Sequence, residues 1–483
     1  MPEDLRRLAA GLLMIGFQGL EPPPESVALL EAGVAGVIYF ARNVADAGQL
    51  ARLTAALDHR AAASPLLVAA DEEGGTVSRL PRGPARMPGA MALGAAGDAG
   101  LARRAALTTA AQLRAVGVNI DLAPVLDVGA ADGALGTRAF GGDPSLVTTM
   151  GTAWLRGLEE GGVMAVAKHF PGLGRSRVDS HLERPVLEPP GDALDPFRAA
   201  VAAGIACVMV GHAALPSVDP SGTPASRSVP VIEGLLRGEL GFTGLVMTDC
   251  LEMRGATADL TTPEAAVAAI AAGADIALIS HRPDLQAAAL DALTWALADG
   301  RIPLERAEAA RERIAAACTR FGLTARGLPD PDAAPFLLDR PSDRTLARQI
   351  AERALTAVVP GSLPAGARAT VVDGGTGLAD ALAARGVPVD RAEPAALTPG
   401  TDPVVLGIGR RPDPAALAAV AATGRPLFVW CVNPASARDA AAAGARAVWV
   451  GYDAAPASVE VAAEALTGQR AAAGRLPVRL ELP

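Results

Sequence analysis

Eight short apolar runs punctuate the first two-thirds of the chain, at residues 12–17, 34–40, 66–70, 118–122, 163–167, 206–210, 244–248 and 276–279. Each is leucine-rich or β-branched, and none alternates polar with apolar positions. That is the pattern of strands buried on both faces of a parallel sheet. Alanine-rich helical stretches separate them. Eight such βα units in about 300 residues is the size of a (β/α)8 barrel. A doubly wound open sheet would need a switch point and rarely runs so long. The pattern therefore predicts an α/β protein with a (β/α)8 TIM barrel over residues 1–318. Residues 319–345 are rich in Pro, Gly and Asp and read as a linker. Beyond it, runs at 354–359, 370–373, 404–408, 427–432 and 447–452 predict a smaller αβα sandwich domain over 346–483. Gly374-Gly375-Thr376-Gly377 follows one of these runs, but it lacks the full phosphate-loop spacing and is a weak nucleotide signal.

Polar residues follow seven of the first eight runs at their C-terminal ends: Arg42-Asn43, Asp71-Glu72-Glu73, Asp127, Lys168-His169, His212, Thr248-Asp249 and His281. In a barrel all of these fall on one rim, where active sites lie. An Asp or His after a strand is also a common helix cap, so one alone means little. Seven on one rim predict a polar pocket.

Composition narrows the function classes. The net charge of −9 argues against nucleic acid and anionic membranes as main partners. The four cysteines (Cys207, Cys250, Cys318, Cys431) show neither a CxxC pair nor metal-ligand spacing, and read as reduced, buried thiols. The N-terminus slightly resembles a signal peptide, but its early acidic pair and short apolar run favour a first buried strand. No apolar run is long enough to span a bilayer. A cytoplasmic protein is expected. Of 43 basic residues only one is lysine, Lys168; the rest are arginine, a skew of the kind a GC-rich genome produces. A lysine that survives it is expected to need a compact, rotatable ammonium that Arg cannot supply. Lys168→Arg is accordingly expected to impair activity with little change in melting temperature.

The sharpest chemistry lies in Lys168-His169-Phe-Pro-Gly-Leu-Gly-Arg-Ser-Arg-Val-Asp179-Ser180-His181. Asp179 and His181 are two apart on a loop, so the carboxylate can fold back onto the ring, fix its tautomer and favour imidazolium. That makes His181 a candidate general acid/base. A capped turn would use the same residues. Asp249 ends a strand-like run and is a candidate nucleophile. It could equally cap a helix, with Glu252 three residues on.

Together these motifs resemble glycoside hydrolase family 3, on its β-N-acetylglucosaminidase branch, over nearly the whole chain. Gly36-Val-Ile-Tyr-Phe-Ala-Arg-Asn43, Asp71-Glu-Glu-Gly-Gly-Thr-Val-Ser-Arg79, Asn119-Ile-Asp-Leu-Ala-Pro-Val-Leu-Asp127, Thr137-Arg-Ala-Phe-Gly-Gly-Asp-Pro144 and Gly241-Phe-Thr-Gly-Leu-Val-Met-Thr-Asp249 stand in family order. The Lys-His-Phe-Pro-Gly…Asp-Ser-His block is the most specific. The tail, Gly451-Tyr-Asp…Gly468…Gly474-Arg-Leu-Pro-Val, is similar to the end of the family's second domain.

The resemblance implies a retaining exo-β-N-acetylglucosaminidase acting on terminal β-linked GlcNAc, with cytoplasmic muropeptides of peptidoglycan recycling as the expected source. In it Asp249 attacks the anomeric carbon. His181, held by Asp179, protonates the leaving oxygen and later deprotonates water. Asp71, Arg79, Arg138, Lys168 and His169 hold the sugar hydroxyls. The expected partner is a small-molecule glycoside, with no nucleic acid, membrane, metal or cofactor. A phosphorylase using the same residues, or a non-catalytic sugar-binding protein, are the alternatives. One departure stands out: the family's Gly-His-Gly loop reads Gly172-Leu173-Gly174 here, followed by Arg175 and Arg177. Both glycines remain, so the loop is expected to stay mobile. The arginines either meet an acidic leaving group or are solvated surface charges.

Overall fold

The computed structural model describes residues 3–62, 65–81, 83, 85–325 and 327–482. Its first sheet holds eight parallel strands: β1 Leu13–Ile15, β2 Gly36–Tyr39, β3 Leu67–Ala70, β4 Ile120–Asp121, β5 Met164–Phe170, β6 Cys207–Val210, β7 Leu245–Thr248 and β8 Ala277–Ile279. Neighbours follow chain order from β1 to β7, β8 pairs β1, and a parallel bridge from Met247 to Ile276 closes the ring. Seven of the eight apolar runs contain one of these strands whole, and the run at 163–167 covers the first part of β5. Their lack of alternation has a direct cause. Met14, Ile38, Leu67, Ile120, Met164, Met209, Met247 and Leu278 pack inside the barrel, while Leu13, Val37, Val68, Ala165, Val208 and Val246 pack outward under the helices. Both sets are buried, so both must be apolar. Aspartates at the junctions start the long outer helices: Asp46, Asp98 and Asp143 accept backbone N–H bonds from Gln49, Gly100 and Ser145 respectively.

The second sheet has six strands, β9 Thr356–Val359, β10 Ala369–Val372, β11 Val389–Arg391, β12 Val404–Ile408, β13 Leu427–Cys431 and β14 Ala447–Val450, in the order β11-β10-β12-β13-β14-β9. Only β9 runs antiparallel. Helices Pro341–Ala354, Leu378–Ala383 and Pro456–Leu466 meet on one face, and Pro414–Ala422 and Pro434–Ala442 on the other. This is the expected αβα sandwich. Five of its strands lie in the apolar runs. The sixth, β11, is an exposed edge strand reading Val-Asp-Arg, too short and polar to show in a hydrophobicity pattern.

Helix Leu304–Arg320 runs into the Pro/Gly/Asp-rich stretch, and helices Ala334–Leu338 and Pro341–Ala354 occupy its far end. Several hydrogen bonds tie the two sheets' domains together, three of them from barrel or second-domain backbone N–H groups. Gly89 N–H donates to the buried Asp453 carboxylate at 3.0 Å, Arg475 N–H to Ala95 at 3.1 Å, and Gly142 N–H to Pro477 at 2.9 Å. The Gly374–Gly377 loop is not an open phosphate cradle. The Asp373 carboxylate already accepts from the N–H groups of Thr376, Leu378 and Ala379, taking the place an anion would hold.

Candidate active site

All eight residues singled out in the sequence line one cavity of about 580 Å³ at the C-terminal mouth of the barrel: Asp71, Arg79, Arg138, Lys168, His169, Asp179, His181 and Asp249. Its floor is a charge-paired cluster. Lys168 Nζ lies 2.8 Å from Asp71 Oδ1 and 2.7 Å from Glu73 Oε1, with only 1% of its side chain exposed. Arg138 makes a two-pronged contact with Glu73, at 2.9 and 2.7 Å. Arg79 reaches the other Asp71 oxygen at 3.3 Å. Burial alone would raise the carboxyl pKa values, but Arg138 and Lys168 hold Glu73 far below its usual range, and Lys168 and Arg79 hold Asp71 down. Burial likewise opposes the Lys168 charge, and Asp71 and Glu73 outweigh it. The cluster stays ionised across the neutral range and presents fixed donors to a polar ligand.

Lys168 and His169 both face the cavity although they are adjacent in one strand. The β5–β6 register shifts between Ala167 and Phe170, a bulge that breaks the alternation of side chains. The apolar pattern ends β5 at residue 167; the strand continues to Phe170 and carries the pair within it. His169 is oriented by Asp127, whose Oδ2 lies 2.7 Å from Nδ1 and also accepts the His169 backbone N–H at 3.1 Å. With Nδ1–H donating to Asp127, Nε2 is left as an acceptor facing Arg138 at 3.5 Å.

Asp249 sits half-buried just beyond β7, with Oδ1 accepting its neighbour Cys250 N–H at 2.7 Å. Burial would raise its pKa, but His169, His212, the Cys250 amide and Lys168 outweigh it and keep the carboxylate ionised. It does not share its work with Glu252. Glu252 instead accepts the backbone N–H groups of Ser280, His281 and Arg282 and so pins the β8 loop. Cys250, Glu252 and His281 place ligand-type atoms within 4.8 Å of one another, but these backbone bonds already engage both Glu252 oxygens. His212 is a buried positioning group. Its Nε2–H donates to the Cys250 carbonyl at 2.9 Å, so Nδ1 accepts from Ser226 at 2.8 Å. Burial lowers its pKa against the pull of Asp249.

Asp179 and His181 form both the turn and the pair that the sequence allows. Asp179 Oδ1 accepts the His181 backbone N–H at 2.9 Å and lies 2.7 Å from its Nδ1. Despite partial burial, these bonds hold the Asp179 pKa down. The His181 ring is 65% exposed, which puts it at the cavity mouth with its other nitrogen free. The loop is tethered to the one after β7, because Gly255 N–H donates to the Ser180 carbonyl at 3.0 Å. A Cβ at Gly255 would come 3.0 Å from His212 Cβ and 3.1 Å from that carbonyl. That contact brings the His181 and Asp249 loops to one mouth.

The glycines at 172 and 174 answer to local geometry. Gly172 adopts φ +122°, and a Cβ at Gly174 would lie 2.2 Å from the Val128 carbonyl oxygen. Between them, Leu173 N–H donates to Asp127. Arg175 and Arg177 pair with Asp192 and Asp132 on the surface, outside the cavity lining. Both side chains are exposed in these pairs. Sequence reasoning placed Glu73, Asp127, His212 and His281 on the rim but gave them no task. It missed Arg410, which lies after β12 and brings the second domain to the cavity wall. The apolar run 404–408 followed by Gly409-Arg410-Arg411 was its only sequence signal.

A charge-paired floor on the C-terminal rim of a (β/α)8 barrel, with a free carboxylate and an exposed histidine above it, places the chain among the barrel glycoside hydrolases. Residues 10–317 match the glycosyl hydrolase family 3 N-terminal domain, and the chain belongs to that family. A β-hexosaminidase of Thioalkalivibrio sulfidiphilus (strain HL-EbGR7) is 38% identical over 298 residues, 59% of this chain and 85% of its own length. The structure of a family 3 β-N-acetylglucosaminidase from Paenibacillus sp. str. FPU-7 superimposes with a TM-score of 0.91 at 34% identity, covering 99% of both chains. A β-glucoside phosphorylase shares the fold at 22% identity, with a TM-score of 0.84 over 99% of this chain and 94% of its own. Among the described residues, no helix is long and apolar enough to cross a membrane.

Proposed function

We propose that the chain is a retaining exo-β-N-acetylglucosaminidase that releases terminal β-linked N-acetylglucosamine, drawn from muropeptides in the cytoplasm during peptidoglycan recycling. The observation that carries the reading is the division of labour in the cavity: an ionised, half-buried Asp249 on one loop and an exposed, Asp179-bound His181 on the loop tethered to it. Retaining hydrolysis needs one nucleophile and one proton carrier flanking the scissile bond.

Asp249 attacks the anomeric carbon and forms a glycosyl-enzyme. His181, held in place by its bond to Asp179, gives its proton to the leaving oxygen and then takes one from water. Its exposed position suits a large aglycone. Lys168, His169, Asp71, Arg79 and Arg138 hold the terminal sugar's hydroxyls with donors and acceptors fixed by Glu73 and Asp127. The name of the similar Paenibacillus structure, a β-N-acetylglucosaminidase, supports N-acetylglucosamine as the sugar, and that of the β-hexosaminidase supports a hexosamine.

The test is a panel of aryl β-glycosides assayed with and without phosphate. Release of N-acetylglucosamine from the N-acetylglucosaminide, far faster than glucose from the glucoside and independent of phosphate, supports the reading. Formation of a sugar 1-phosphate makes the enzyme a phosphorylase. No turnover of any glycoside leaves a sugar-binding protein.

A further inference from the structure

A second cavity of about 610 Å³ lies between the two domains, beside the catalytic cavity, with which it shares Thr76 and Arg410. The barrel supplies Gly75, Thr76 and Arg86 to its wall; the second domain supplies Gly375, Thr376 and Arg410. Val432, Ala454 and Pro456 give it an apolar side. No acidic residue is among the described residues that line it.

Three observations point to a ligand. Neither the Arg86 nor the Arg410 guanidinium makes a hydrogen bond or ion pair with any described residue. The Arg86 Nε is buried with no partner. Buried donors are rarely left unmade, because each costs its desolvation. The carboxylate closest in charge, Glu72, is instead held by the backbone N–H groups of Arg79 and Leu80. The third observation is topological. The second sheet reverses direction between β10, which connects to β11, and β12, which leads on to β13. The loops after β10 and β12 carry Gly375, Thr376 and Arg410, so the cavity lies outside the carboxyl ends of the strands at the switch point. Open α/β sheets bind ligands there.

We propose that this interdomain cavity binds a phosphate-bearing ligand, its phosphate held jointly by Arg86 of the barrel and Arg410 of the second domain. Two guanidinium forks match a dianion's oxygens and charge. The volume falls in the range of small-molecule sites, and the apolar side suits the organic part of a phosphate ester. The Thr76 hydroxyl, which bonds no described residue, adds a donor. Because Arg410 and Thr76 also line the catalytic cavity, the ligand would sit next to the non-covalent sugar site and brace the domains against each other.

The test is calorimetric titration and thermal melting at constant ionic strength with glucose 6-phosphate, inorganic phosphate and, as an uncharged control, glucose. Binding of either phosphate probe is expected, with glucose silent; the ratio of the two affinities tells whether an ester or the free ion is the occupant. Arg86→Gln and Arg410→Gln should each weaken binding about tenfold or more, the size of one lost charge-assisted contact. Arg175→Gln, on the far surface, should not. Should Arg86→Gln fold poorly, Arg86→Lys keeps the charge and should bind more weakly than wild type. Absence of binding by both phosphate probes would overturn the proposal. So would loss of binding in Arg410→Gln with full retention in Arg86→Gln, which assigns the phosphate to the catalytic cavity.

Discussion

Replacing Lys168 tests the floor of the site most directly. Its Nζ donates to Asp71 and Glu73 at 2.8 and 2.7 Å, which uses two of its three N–H bonds and leaves one for a ligand. Losing one charged hydrogen bond to a sugar hydroxyl should lower kcat/KM by roughly 10- to 150-fold, from about 1.5–3 kcal/mol. Lys168→Met also strips the cation from two buried carboxylates. Breaking such a pair costs about 3–5 kcal/mol, and the low end applies because Arg138 still grips Glu73 and Arg79 still reaches Asp71. Lys168→Arg keeps the charge, but the side chain is 1% exposed and already touches both partners, so the longer fork must overpack. Overpacking costs about 1–3 kcal/mol. Burial therefore changes the sequence-based expectation: the arginine variant should lose thermal stability as well as activity. The assay is calorimetric melting together with kcat/KM on an aryl N-acetylglucosaminide. An arginine variant with wild-type activity and an unchanged melting temperature would refute the argument and make the lone lysine an accident of composition.

Asp249→Asn should lower kcat by several orders of magnitude and leave the melting temperature near wild type, read by steady-state kinetics and calorimetry. His181→Ala should slow substrates with poor leaving groups most and activated aryl glycosides least in the first step; azide should rescue the second step as a β-glycosyl azide, and Asp179→Asn should show a weaker form. Uniform losses without azide rescue would return the Asp-Ser-His loop to a structural turn. Asp121 is buried, with one oxygen on the Glu72 N–H and the other without a partner. Burial raises its folded pKa well above the usual carboxylate range. The stability tied to its protonation is thus full below the unfolded pKa and is lost as pH rises through the folded pKa. Asp121→Asn should therefore gain melting temperature relative to wild type between acidic and mildly alkaline pH; a constant difference across that range would count against this sign.

The barrel was legible because burial on both faces forces unbroken apolar runs, and eight of them in succession leave little else to build. The same signal failed at β11, where Val389-Asp390-Arg391 lies on a solvated edge. It also ended β5 too early, because Lys168 and His169 are charged or polar yet sit within the strand. A hydrophobicity pattern sees a strand stop wherever a buried ion pair begins. The site was legible where chemistry and motif coincide: all eight chosen residues share one cavity. Their partners were less so. Glu73 and Asp127 carry no distinctive spacing to Lys168, Arg138 or His169; only the closed ring of strands brings residues 73, 127, 138, 168 and 169 together. Arg410 was invisible for a stronger reason, since it comes from a different domain across a contact that no local pattern encodes.

The pairing of charges also explains why this pocket can hold a neutral sugar with so many ionised groups. Lys168, Arg138 and Arg79 face Asp71 and Glu73, so the floor is a nearly balanced cluster whose members neutralise one another at short range. Each ion's remaining donors and acceptors are then fixed in direction before the ligand arrives, and no reorganisation is needed when charge develops in the reaction. The groups left outside that balance are Asp249 and the Asp179–His181 pair. They lie on loops, Asp179 and His181 are more exposed than the floor, and the two loops are joined by the Gly255–Ser180 backbone bond and by Arg184, whose Nε donates to the Gly255 carbonyl. Rigidity is concentrated where a ligand must be recognised, and free charge where a bond must be broken. Arg410 is the exception: a cation supplied by the second domain, without a hydrogen-bond or ion-pair partner among the described residues, which with Thr76 forms the wall that the catalytic cavity and the interdomain cavity share. A change in how the two domains meet would move that charge first, which gives the second domain a physical route to the chemistry of the barrel.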